Sequence, residues 1–149
     1  MNKKIIAIIV LIIAILIFGF FFYTHNTVKV GNSYFAVPEG YHVVDEGKYV
    51  NVTSGKNDIC LYKEVSDENI NKSIAKYAKN KKNNNDTLKY SEFSSGDVNI
   101  TKSVTGKNNE VIHYWFTKNG KTYEAFTWSG NSNSDNLLKN LIDSMKPAI

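Results

Sequence analysis

Arginine and glutamine are absent from the 149 residues, cysteine occurs once and proline twice. Without arginine there is no planar guanidinium fork for bidentate recognition of guanine, phosphate or carboxylate. A lone Cys60 excludes an intramolecular disulfide, so the fold must rest on its apolar core. Long apolar runs are scarce too. Residues 5–23 are apolar at 18 of 19 positions, and no second such run follows, which excludes a polytopic membrane protein. Excess charge of one sign is also nearly missing. All 18 cations are lysine, and Lys3 and Lys4 precede the apolar run, leaving 16 lysines against 14 acids in the rest of the chain. They are scattered among one another, so the basic pI is no nucleic-acid footprint and no nucleic-acid partner is expected.

What is present divides the chain in two. Nineteen residues at ~1.5 Å rise span about 28 Å, the thickness of a hydrocarbon core. Lys3 and Lys4 flank this run on one side, and no lysine follows it until Lys29, so the positive-inside rule places the N-terminus in the cytoplasm. The run ends in Phe20-Phe21-Phe22-Tyr23 rather than in small residues, which suits an uncleaved anchor and not a cleaved signal peptide. The expected organisation is a cytoplasmic tail (1–4), a transmembrane signal anchor in contact with lipid (5–23), a short stem (24–27) and an extracytoplasmic domain (28–149). The cell membrane, crossed once, is the expected location. Fourteen of the 19 aromatics lie after residue 23, enough to order that domain rather than leave it disordered.

Along the domain, Val28-Lys29-Val30 and Tyr34-Phe35-Ala36-Val37 flank Gly31-Asn32 and predict a hairpin. Strand-like runs follow at 42–44, 49–53 and 58–64. Ser66-Asp67-Glu68 offers a helix start, with Ile70, Ile74, Tyr77 and Ala78 at helical spacing and Lys79, Lys81 and Lys82 at the far end. Residues 83–86 read as a loop. Strands are predicted over 88–93, 98–105, 110–117 and 121–129; the last two are joined by Asn119-Gly120, the pair that favours a two-residue type I′ turn. Asp135 can cap a closing helix whose Leu137, Leu138, Leu141, Ile142 and Met145 form one apolar stripe, stopped by Pro147. The pattern predicts an α+β domain, an antiparallel β-sheet flanked by helices, preceded by one N-terminal transmembrane helix.

Three stretches add a family resemblance: the opening Tyr34-Phe35-Ala36-Val37-Pro38-Glu39-Gly40-Tyr41, the helix Ile70-x3-Ile74-x2-Tyr77-Ala78, and the closing Leu138-x2-Leu141-Ile142-x-Ser144-Met145-Lys146. Together with the aromatic-rich last hairpin, they resemble the PsbP-like fold of photosystem II extrinsic protein P and the Mog-type Ran-binding regulators. The resemblance covers about residues 28–147. It implies an antiparallel sheet flanked by helices, in a family whose members mostly act as binding or assembly modules. No manganese-, calcium- or Ran-binding residues match, and none is carried over.

The Asn119-Gly120 turn also predicts register. Lys118 should face Lys121, Phe116 Tyr123, Tyr114 Ala125 and Ile112 Thr127. One face then collects Ile112, Tyr114, Phe116, Tyr123 and Ala125 as core. The other collects Val111, His113, Trp115, Glu124, Phe126 and Trp128. If a groove binds a ligand, Trp115, Trp128, His113 and Glu124 are the candidates, since aromatics beside one imidazole and one carboxylate can grip a sugar or a peptide. His25, His42 and His113 lack metal-type spacing, so no metal and no cofactor is expected. No G-x-S-x-G, P-loop or carboxylate pair is found, so the protein is not expected to be an enzyme. Cys60 sits in a strand-like run and reads as a small buried hydrophobe. Asn85 and Asn71 head sequons suited to glycosylation on an outward-facing domain. The expected function is a membrane-anchored binding or accessory module of the envelope, its partner an envelope protein or a glycan. The alternative is a small envelope hydrolase using the aromatic/His/Glu face.

Overall fold

A computed structural model of the chain describes residues 2–25, 27–83, 87–106, 111–128 and 133–148, with the side chains of residues 19–25 and 83 outside that set. Helix α1 (Lys3–His25) runs two residues past the expected end of the anchor. Its large apolar side chains from Ile5 to Phe18 are exposed. Among the described residues, whose side chains on α1 stop at Phe18, no helix is long and apolar enough to cross a membrane. The expected span over residues 5–23 is therefore not established by them.

The elements that follow are β1 (Thr27–Val30), β2 (Ser33–Ala36), β3 (His42–Asp45), β4 (Tyr49–Thr53), β5 (Asp58–Tyr62), α2 (Ile70–Asn83), β6 (Leu88–Ser95), β7 (Val98–Thr105), β8 (Val111–Lys118), β9 (Lys121–Thr127), α3 (Asn133–Ser144) and β10 (Lys146–Pro147). This is the α+β class the sequence predicts, with one difference. The first hairpin does not join the main sheet. It forms a small sheet of its own, ordered β1-β2-β10, while seven strands build an antiparallel sheet ordered β3-β4-β5-β9-β8-β7-β6. The C-terminal strand gives no periodic signal because it is two residues long. Pro147, read as a helix stop, pairs with Ser33 at an edge, where its missing N–H is tolerated.

The β8–β9 register agrees residue by residue with the expectation from the turn, from Lys118 opposite Lys121 to Ile112 opposite Thr127. Asn119 (φ 52°) and Gly120 (φ 76°) both lie in the left-handed region, as a type I′ turn requires. One face of the sheet is the core. There Val52, Ile59, Ile100, Tyr114, Phe116 and Ala125 meet the stripe Leu137, Leu138, Leu141 and Ile142 of α3, all buried. Burial at ~1.5–3 kcal/mol per large side chain makes this stripe the main attachment of α3. The small sheet closes the same core with Val30 and Phe35, both 1% exposed.

Both helix starts differ from the cap readings. Ser66 is held in an isolated bridge, donating its N–H to Thr122 O (3.1 Å) and accepting from Thr122 N (2.8 Å). The helix begins after it. Asn69 caps α2, its Oδ1 accepting from Asn71 N at 2.8 Å. Asp135 lies inside the first turn of α3, where its carboxylate accepts from the Tyr114 hydroxyl (2.6 Å) and the Lys102 ammonium (3.0 Å). Burial first, and then this carboxylate, push the Tyr114 hydroxyl pKa up, so it stays a donor.

Candidate functional site: an aromatic groove on the outer face

Strand pairing sets the outer face row by row. Asn51 faces Cys60, Cys60 faces Phe126, and Phe126 faces His113. In the next row Tyr49 faces Tyr62, and Glu124 faces Trp115. Extending the β5–β9 register by one step sets Tyr62 beside Glu124. Residues far apart in sequence thus share one surface, because side chains two apart on a strand point the same way and paired residues face together.

Helix α2 covers the β8 side of this face. Its Tyr77 ring lies 4.3 Å from the His113 ring and 5.0 Å, edge-on, from Trp115. On the β4–β5–β9 side the sheet is left open, and a groove of ≈ 1000 Å³ runs between α2 and the strands. Phe126 is the ring that joins its walls, with Tyr49 at 5.0 Å, Tyr62 at 5.2 Å and Trp128 at 5.3 Å between centroids. Tyr49 and Trp128 stand at 79° and 86° to Phe126, the edge-to-face arrangement aromatic pairs prefer.

The four expected site residues part company here. His113, Glu124 and Trp128 line the groove together. Trp128 is 62% exposed at its mouth, whereas His113 is buried and Glu124 half-buried. Trp115 does not line it. It is 0% exposed, sealed by α2, and its indole N–H finds no hydrogen-bond partner among the described residues. A sheet face covered by a helix over only part of its width explains the split: the alternation rule sorts residues by face, not by which half of the face is roofed. Tyr49, Tyr62 and Tyr77 line the groove although sequence reasoning left them out. Tyr77 comes with α2, whereas the arrival of Tyr49 and Tyr62 depends on β5 pairing with β9, a contact some 65 residues long in sequence that carries no local signal.

His113 Nε2 lies 3.0 Å from Glu124 Oε2. A half-buried carboxylate beside an imidazole orients the ring through this hydrogen bond. Burial chiefly, and then the Glu124 charge, raise the Tyr62 hydroxyl above its ordinary value near 10. Four carboxylates line the groove, Glu64, Asp67, Glu68 and Glu124, against two lysines, Lys76 and Lys81. Lys76 is engaged with Glu68 at 2.9 Å, and Lys81 lies over the Tyr77 ring, 5.5 Å from its centroid. Asp67 is paired with Lys121 from β9. Glu124 has only His113, and the exposed Glu64 carboxylate has no ionic partner among the described residues.

Other expected features fall outside the groove. Cys60 is free and buried, and burial above all pushes its thiol up to about 12. Asn71 is exposed in the first turn of α2, and Asn85 lies outside the described residues. No cluster of His, Cys, Asp and Glu able to hold a metal ion occurs among the described residues.

No family model and no curated protein matches the chain. Among solved structures it is similar to the solution structure of cyanobacterial PsbP (CyanoP) from Synechocystis sp. PCC 6803, at 14% identity and a TM-score of 0.47, over 83% of this chain and 93% of that one.

Proposed function

We propose that the protein is a single-pass, membrane-anchored module whose PsbP-like α+β domain lies outside the cell membrane and binds a ligand or partner of the envelope without catalysis. The observation that carries the binding role is the open groove itself. Tyr49, Tyr62 and Trp128 gather around Phe126 beside the His113–Glu124 pair, while α2 roofs the face along β8. Concave, aromatic-lined sites with a few polar groups are where ligands bind. What supports the anchor is the apolar run with Lys3 and Lys4 before it, and the exposure of its side chains from Ile5 to Phe18, a surface too apolar to stay in water. What supports the family is the set of motifs at 34–41, 70–78 and 138–146.

A photo-crosslinking amino acid placed at position 128 in the native membrane should capture the groove's partner. Tyr90, 47% exposed on the edge strand β6 and outside the groove, is the control position. Adducts from 128 and not from 90 are expected; identical products from both would refute a groove-directed role. For topology, the K72C variant offers an exposed thiol while Cys60 stays buried. It should react with an impermeant maleimide in intact cells. Labelling that appears only after lysis would place the domain in the cytoplasm.

A further inference from the structure

The groove's charge carries the reading one step further, to the class of ligand. The domain has a slight excess of lysine over acid, yet the groove's lining is acidic, and the two lysines that line it are already engaged, Lys76 by Glu68 and Lys81 by the face of Tyr77, as is Asp67 by Lys121. Glu64 and Glu124 remain, lining the same groove as the Tyr49, Tyr62 and Trp128 rings, without a lysine partner among the described residues. An anionic ligand would be repelled there. A neutral sugar would desolvate the two carboxylates and return no opposite charge. A cation with an apolar shell gains from both components, since ring faces attract it through their quadrupole and the carboxylates through their charge. The groove already contains one such contact of its own, the Lys81 ammonium over Tyr77.

We propose that the groove binds a small organic ammonium ion, its cationic head against Tyr49, Tyr62 and Trp128 and within the field of Glu64 and Glu124. This rests on the reading of the groove as a binding site. The same chemistry is carried by a free alkylammonium solute and by a choline lipid head group.

Trp128 is the reporter, because the other tryptophan, Trp115, is fully buried. The full chain in maltoside micelles is titrated with choline and, separately, with 3,3-dimethylbutan-1-ol, the neutral molecule of the same shape. Choline should change the emission saturably at millimolar concentration, and the alcohol should bind about tenfold more weakly. The change should vanish in W128F. Glu64 is exposed and makes no ion pair, so E64Q keeps the fold and should weaken choline binding by about threefold. Repeating the titration in nanodiscs separates the sources. Loss of the choline response in phosphatidylcholine discs, with retention in phosphatidylglycerol discs, assigns the lipid head group; retention in both assigns a free solute. Equal response to the alcohol, a tighter response to chitotriose, persistence of the signal in W128F, or silence towards choline would each overturn the proposal. Silence towards choline with a partner still captured from position 128 removes the ammonium assignment alone. Silence in both experiments removes the binding site with it.

Discussion

Removing one hydroxyl, that of Tyr123, should uncouple the small sheet from the large one. Tyr123 is 1% exposed on β9, and its ring stacks on Phe116 at 5.2 Å and 5°, a contact that phenylalanine would preserve. The hydroxyl crosses to the first hairpin. It lies 2.8 Å from Asn32 Oδ1, 2.8 Å from Ser33 Oγ and 3.3 Å from the Val30 carbonyl oxygen. Its single proton is shared among these three acceptors, and Ser33 Oγ also accepts from Asn119 Nδ2 at 2.9 Å. In Y123F no cavity opens, but Ser33 Oγ, 0% exposed, and the Asn32 and Val30 oxygens lose the donor they share. A lost neutral hydrogen bond is worth ~1 kcal/mol and an orphaned buried group ~1–3, so about 2 kcal/mol of destabilisation is expected. Urea unfolding of the full chain, followed by the emission of buried Trp115, measures it. Hydrogen exchange should accelerate most at residues 27–36. The double variant Y123F/S33A removes both hydroxyls of the contact, so its loss should fall at least about 0.5 kcal/mol short of the sum of the single losses. A Y123F midpoint within about 0.3 kcal/mol of the parent, or strict additivity with S33A, would refute the assignment of this hydroxyl as the clasp.

Two further outcomes are expected. G31A should destabilise by about 1–3 kcal/mol, because Gly31 holds φ +58° and a Cβ there would meet the Val65 methyls at 2.6 and 2.7 Å. Adding V65A should return only part of that loss, since the backbone strain stays; complete rescue in thermal melts would assign the whole effect to the clash. Cys60 should resist a thiol reagent at pH 8 in the folded chain, where a thiol pushed up to about 12 is ionised to only about one part in ten thousand, and should react at once in urea. The sign of the linkage follows. The thiol is neutral in both states at low pH, so stability should fall as pH rises from its ordinary value near 9 through about 12, as the unfolded chain ionises first. Rapid stoichiometric labelling of the folded chain would contradict the burial.

What could be read in advance was local or periodic. The β8–β9 register follows from two residues, Asn119 and Gly120, because a type I′ turn fixes every pair above it. The α3 stripe follows from 3.6-residue spacing, and its leucines are buried as that spacing requires. Three features were not legible. The Ser66 hydroxyl does accept from Glu68 N at 2.9 Å, but its backbone pairs with Thr122, some 55 residues away, and α2 starts only after Asn69. The separate small sheet needs β10, too short to show a period. Trp115 and Trp128 have the same parity relative to the hairpin, yet one is sealed and the other open, because parity does not say where α2 ends its cover.

That partial cover also decides which features of the groove call for a ligand. Seven strands at ~4.8 Å spacing make a sheet about 29 Å wide, whereas one helix is about 10 Å across and roofs some two strands. The core face has α3 and the small sheet upon it, while the outer face has α2 alone, lying along β8. The strands β4, β5 and β9 must then present side chains that tolerate being half wet. Tyrosine does this without any partner, because its ring packs and its hydroxyl meets water, so Tyr49 and Tyr62 are accounted for by the fold itself. Trp128 and the two carboxylates that no lysine meets among the described residues are not. A half-covered sheet face gains nothing from holding Glu64 and Glu124 in one groove with exposed rings while the lining lysines are engaged elsewhere. The test that bears on function is therefore the one that varies charge at constant shape. Choline against its neutral isostere asks whether those carboxylates are used, whereas truncating the rings would disturb a surface that the fold needs in any case.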